Sequence, residues 1–180
     1  VGSVRDVSQT VELTLRPLTT EAFAPYGHVL EASPDRHHYA INAGTTTRYH
    51  ALARTEVGDG RAVLSIFRGQ PFALPLALRV IERHPLGSQA FVPLSGRPWI
   101  AVVGAPGPTP APETLVAFLC RGDQGLQYAP GTWHHPLIAL EAESDFLVVD
   151  REGEGENCDE VPLTRPVVVR APQPGDAGNA

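Results

Sequence analysis

Short apolar runs closed by glycine or proline recur along the whole chain, and they constrain its fold more than any other feature. The 180 residues include 17 Gly and 18 Pro. Turn signals such as Gly58-Asp59-Gly60, Leu94-Ser95-Gly96, Pro106-Gly107-Pro108 and Pro130-Gly131 fall between the runs. Thr10 to Pro17 alternates apolar and polar residues as a half-buried strand does. Strand-like runs follow at Val29–Glu31, Ala62–Phe67, Leu76–Glu82, Ala90–Leu94, Trp99–Val103, Leu115–Leu119 and Asp145–Val149. The clearest helical signal is a short turn capped by Thr19 or Thr20, running to Phe23 and stopped by Pro25 and Gly27. Leu74 to His84 is apolar enough for a strand or a short helix, and strand is favoured. The pattern predicts a mainly β fold, an antiparallel sandwich or barrel with a few short helices.

At this length one domain with one sizeable core is expected. Residues 1–9 read as an N-terminal extension and 10–162 as the domain. Residues 163–180 read as a flexible Pro/Gly-rich tail, unless Val167 to Val169 pairs with a sheet edge. The net charge of −6 arises without a run of either sign, so no nucleic-acid partner is expected. There is no lysine, which excludes lysine Schiff-base chemistry and pyridoxal phosphate of the usual kind. Cys120 and Cys158 form no CxxC pair. The opening residues lack a signal-peptide pattern, and no apolar stretch approaches membrane-spanning length. A soluble cytoplasmic protein with no membrane partner is the expectation.

Two polar clusters carry the chemistry. Glu82-Arg83-His84-Pro85-Leu86-Gly87-Ser88-Gln89 runs into an apolar strand, where charged groups must find partners or face a cavity. Tyr128-Ala129-Pro130-Gly131-Thr132-Trp133-His134-His135-Pro136 is the other. Successive strand residues face opposite ways, so only one of His134 and His135 can enter a given cavity. The spacing of Glu82, His84, Gln89 and Gly96, with Gly131 three residues before His134, resembles the paired motifs of cupin barrels. Glu82 and Gln89 stand where a histidine and a glutamate are usual. His84, His134 and Glu82 would make a set of two imidazoles and one carboxylate, suited to a first-row divalent metal. A metal-free polar pocket is the other reading. Ile41 to His50 (INAGTTTRYH) is a small polar loop ending in an arginine. It could present Arg48 to a carboxylate, or be a solvated turn.

The segments INAGTTTRYHAL, ERHPLGSQAFVPLSGRPW, GDQGLQYAPGTWHHPL and SDFLVVDREGEGENCDE, in that order, resemble the ureidoglycolate lyases of allantoin catabolism. Ala51 and His28 stand where aspartates are common in that family. The resemblance covers about Leu15 to Pro162. It implies a cupin-like barrel, a homodimer, nickel as cofactor, and elimination of urea from ureidoglycolate to leave glyoxylate. For that chemistry His84, His134 and Glu82 are the candidate catalytic or metal-holding groups. Arg48, with the Asn42 loop, is expected to clamp the substrate carboxylate, with Arg83 in reserve. Gln89 is suited to hydrogen-bond the urea group, and Trp133 to wall the pocket. Asp150, which closes the strand FLVVD, could be catalytic or only a strand-end cap. A cupin-type metal-dependent oxygenase or isomerase is the alternative, and a non-catalytic acid-sensing module the weakest reading.

Overall fold

A computed structural model describes residues 9–172. The chain runs through β1 (Val11–Pro17), α1 (Thr20–Phe23), β2 (Gly27–Leu30), β3 (His38–Ile41), β4 (Thr46–Tyr49), β5 (Arg61–Gly69) and β6 (Leu76–Arg83). It continues through β7 (Gln89–Pro93), β8 (Trp99–Gly104), β9 (Val116–Cys120), β10 (Gly125–Tyr128), β11 (Trp133–His134), β12 (Ile138–Ala139), β13 (Ser144–Glu152) and β14 (Asp159–Arg170). The expected mainly β class is what forms. Thr19 caps α1 by accepting from the Ala22 amide at 3.1 Å, and the doubtful segment from Leu74 is strand over Leu76–Arg83.

The larger sheet has the order β11-β6-β14-β1-β9-β8-β12. Because β11 pairs with both β6 and β8, six of its strands close into a barrel. The second sheet has the order β2-β10-β7-β13-β5. Strand β1 runs parallel to β14 and β9, and the other pairings between these strands are antiparallel.

Strand alternation divides the core in two. Leu13, Leu15, Ile81, Ile100, Val102, Trp133, Val167 and Val169 point into the closed ring. Trp99, Ala101, Val103 and Phe118, from the opposite faces of ring strands, pack against Phe91, Leu126, Tyr128, Phe146 and Val148 of the second sheet. The period of two thus lets one strand feed two cores.

One boundary needs correction. Residues 163–170, expected as the start of a tail, belong to β14 inside the sheet. Val167 to Val169 pairs with Leu76–Leu78 on one side, while β1 pairs on the other, so this is an interior strand rather than an addition to an edge. Val167 and Val169 are fully buried, and that apolar burial outweighs the local Pro content. The prolines sit where the register shifts between Pro162 and Val167, so the ladder loses little by their missing N–H groups. The remaining expectations for residues 1–8 and 173–180 lie outside the described residues.

The arrangement that matters for function is the gap at one end between ring and second sheet. Ile81 points into the ring, so its neighbour Glu82 points out of it toward β7. By the same rule Trp133 points into the ring and His134 out.

Candidate active site

A cavity of about 480 Å³ opens between the two sheets, lined by Glu82, Gln89, Phe91, Phe67, Pro136 and Leu137 among others. Behind the lining residue Glu82, the antiparallel register places His134 of β11 directly opposite it. Residue alternation puts His84, two beyond Glu82, on the same side. The ligand atoms of Glu82, His84 and His134 lie within 4.8 Å of one another. Glu82 Oε1 is 3.4 Å from His134 Nε2 and 3.9 Å from His84 Nε2.

Both imidazoles are locked from behind. His84 Nδ1–H donates to the Asn157 carbonyl at 2.7 Å, and His134 Nδ1–H donates to the Thr132 carbonyl at 3.0 Å. A carbonyl can only accept, so each Nδ1 must carry a proton, which leaves each neutral ring with its Nε2 lone pair facing forward. The His134 ring also stacks on Tyr128, with centroids 4.2 Å apart and planes 12° from parallel.

Both Nε2 atoms are buried and lack a hydrogen-bond partner, as is Gln89 Oε1. Two lone pairs and a carboxylate oxygen therefore converge with no donor between them. Such a cluster is stable only with positive charge at its centre, either a proton on an imidazole or a divalent cation. Burial alone would raise the Glu82 carboxyl. A proton on His134, whose Nε2 is 3.4 Å away, with the charges of His84 and His135, more than offsets this and holds it below the ordinary carboxylate range. The donor set fits a divalent metal: one carboxylate and two pre-oriented imidazoles.

Gln89, at the start of β7, donates from Nε2 to Asp150 Oδ2 at 3.3 Å, which leaves its carbonyl oxygen free. His135 takes the other side of β11, and burial pushes its imidazole below the usual range. The structure thus brings together four of the sequence-derived candidates, Glu82, His84, His134 and Gln89.

It does not bring the others to the cavity. Arg83 points away from Glu82. It donates to Asp159 at 2.7 Å and to the Gly107 carbonyl at 2.7 Å, and lies 4.6 Å from the Trp133 ring centre. Trp133 is not a pocket wall but a ring-core side chain, 2% exposed, whose indole N–H donates to the same Gly107 carbonyl at 3.1 Å. Strand alternation explains both corrections, since each residue neighbours a site residue and so faces the other way. Arg48 is exposed on the β3–β4 hairpin, away from the cavity lining. Asn42 lies at the hairpin's tip, its amide 3.4 Å from Thr46 Oγ1.

Several site residues carried no signal in the sequence. The aromatic and apolar walls come from β5, β7 and the segment after β11. The two locking carbonyls belong to Thr132 and Asn157, and only the fold could show where a backbone carbonyl points. Arg68, on the cavity rim, reads as an ordinary strand arginine.

Fold and site together define a small β-barrel protein with a site of two imidazoles and one carboxylate between its sheets. The family model for ureidoglycolate lyase matches residues 10–170. The ureidoglycolate lyase of Azotobacter vinelandii is 50% identical over 150 residues, covering 82% of this chain and 90% of its own. That of Burkholderia cepacia is 50% identical over 159 residues, covering 87% and 89%. That of Pseudomonas aeruginosa is 49% identical over 150 residues, covering 82% and 88%. Among solved structures, a dTDP-6-deoxy-D-glucose-3,5-epimerase from Legionella pneumophila aligns with a TM-score of 0.40 at 16% identity, over 83% of this chain and 90% of its own. This chain belongs to the ureidoglycolate lyase family, a family of carbon–nitrogen lyases.

Proposed function

We propose that the cluster of Glu82, His84 and His134, with Gln89, is the centre at which this chain eliminates urea from ureidoglycolate. The observation that carries the reading is the pair of buried Nε2 atoms, each locked by its Nδ1–H bond and left without a partner against one carboxylate oxygen. Ureidoglycolate bears a carboxylate, a hydroxyl and a ureido nitrogen on one carbon. Glyoxylate and urea form when the hydroxyl loses its proton and the departing nitrogen gains one, with no water added.

With no metal bound, an imidazole Nε2 of this cluster can take the hydroxyl proton and return it to the leaving nitrogen, with Glu82 stabilising the intervening imidazolium. The Gln89 carbonyl oxygen is placed to accept from the urea N–H groups. Phe67, Phe91 and Leu137 give the cavity apolar walls beside Glu82 and Gln89. A divalent ion, nickel by family resemblance, would be held by Glu82 and the Nε2 atoms of His84 and His134. When bound it supplies Lewis-acid polarisation of a substrate oxygen. Cys120 and Cys158 are free thiols, which supports a reducing cytoplasm. No helix among the described residues is long and apolar enough to cross a membrane.

Purified chain should release glyoxylate and urea in equal amounts from racemic ureidoglycolate, above the spontaneous rate. A chelator-sensitive rate would assign the metal role to the cluster, and no release even with added nickel or manganese would reject the lyase reading. The role of Gln89 has its own check. Asp150→Ala removes the acceptor that fixes the amide and should raise KM for ureidoglycolate roughly tenfold, the equivalent of one lost charge-assisted hydrogen bond, with kcat changing less. An unchanged KM would show that the orientation of Gln89 does not depend on Asp150.

A further inference from the structure

Among the described lining residues the cavity offers an anionic substrate no unpaired guanidinium. Arg68 is the one cation among the described residues that line it, and Asp145 holds it through two bonds of 2.7 and 2.9 Å, with Glu143 at 3.5 Å. Asp145 and Glu143 at Arg68, with Asp150 at Gln89, outnumber that one guanidinium and leave the surroundings negative where a carboxylate must bind.

The β3–β4 hairpin has the complementary character. Residues 37–50 contain Arg48, three histidines and no acid. The two strands hydrogen-bond only to each other, and none of their residues is buried. A lone two-stranded hairpin is marginal in water and holds its shape by packing on something. Among the described residues the Arg48 guanidinium makes no hydrogen bond or ion pair.

The second sheet also lacks a cover on its outer face. Leu64 is 73% exposed, Ile66 57% and Leu94 56%. An antiparallel sheet facing water usually carries polar side chains there. This patch on β5 reaches within one residue of Phe67, where the cavity rim begins.

We propose that a second copy of this chain covers that face and lays its hairpin across the cavity mouth, so that the partner copy supplies Arg48 as the carboxylate clamp. The acidic mouth and the acid-free hairpin are charge-complementary, and a guanidinium delivered there meets the substrate carboxylate in a bidentate geometry. Each site is then incomplete in a single chain. The inference rests on the lyase reading of the cavity.

The test mixes two inactive full-length variants. Arg48→Gln and Glu82→Gln should each lose at least about 100-fold in turnover alone. After unfolding and refolding together in equal amounts, random pairing makes half the dimers mixed, each with one intact site, so about one quarter of the parent rate should return. Verified mixed dimers that stay inactive would show that Arg48 acts within its own chain, and Arg48→Gln alone at the parent rate would remove it from the site. A photo-reactive p-benzoylphenylalanine at position 48 of 15N-labelled chains, mixed with unlabelled chains, reads placement without turnover. Cross-links should join labelled position 48 to unlabelled residues 67–72 or 136–137. Cross-links confined to one chain, or a monomeric mass in solution, would overturn the proposal. If the parent chain releases neither product the lyase reading fails, and the cross-link alone then decides the arm.

Discussion

Glu82→Gln should lower turnover of ureidoglycolate by at least about 100-fold and abolish tight binding of nickel, with the fold intact. The substitution keeps the shape and removes one negative charge from a point where two imidazole lone pairs converge at 3.4 and 3.9 Å. In the metal-held state it deletes the anionic ligand. In the metal-free state it deletes the group that stabilises an imidazolium, and a neutral amide does neither. Steady-state kinetics, calorimetric nickel titration and far-UV circular dichroism on the same preparation check it. Turnover within a few-fold of the parent would remove Glu82 from the reaction centre, whatever the metal result.

The second large effect concerns stability. Trp133→Ala should cost about 3–5 kcal/mol, because it empties a fully buried indole volume in the ring core. It also strips the Gly107 carbonyl of its bond from the indole N–H and removes the ring beside Arg83. For a chain of this size a melting temperature lower by on the order of 10 °C follows. Trp133→Phe keeps most of the volume and should leave KM for ureidoglycolate within a few-fold, since the indole faces the ring and not the cavity. A KM raised tenfold or more in that variant, with the protein folded, would return Trp133 to the substrate pocket.

These two residues mark the limit of what the linear pattern shows. Glu82 and His84 are two apart, His84 lying one residue past the end of β6, so their shared side follows from alternation carried one residue beyond the strand. Trp133 and His134 are adjacent and must diverge, yet which of them meets the cavity is set by β11 lying between β6 and β8. Arg83 faces away from the cavity for the same reason, being adjacent to Glu82. The hairpin of β3 and β4 and the short strands β10, β11 and β12 were not distinguished in the sequence. Two- to four-residue strands carry too few alternations to show a period, and they form because long-range neighbours complete their ladders. The Pro and Gly of residues 163–180 taken as a whole concealed β14, whose burial depends on strands more than 60 residues away in sequence.

The sequence by itself determined the mainly β class, the order of the strands that have clear alternation, the choice of Glu82, His84 and His134 as a cluster that could hold a metal, and the family. These depend on residue type and short spacing, which local sterics and side-chain chemistry translate directly. The tertiary structure alone decided which side of each strand meets the cavity, which backbone carbonyls lock the imidazoles, and that Arg48 stands apart from its own chain's site. Those outcomes depend on strand register and on sheet closure, and both are fixed by contacts between segments distant in sequence.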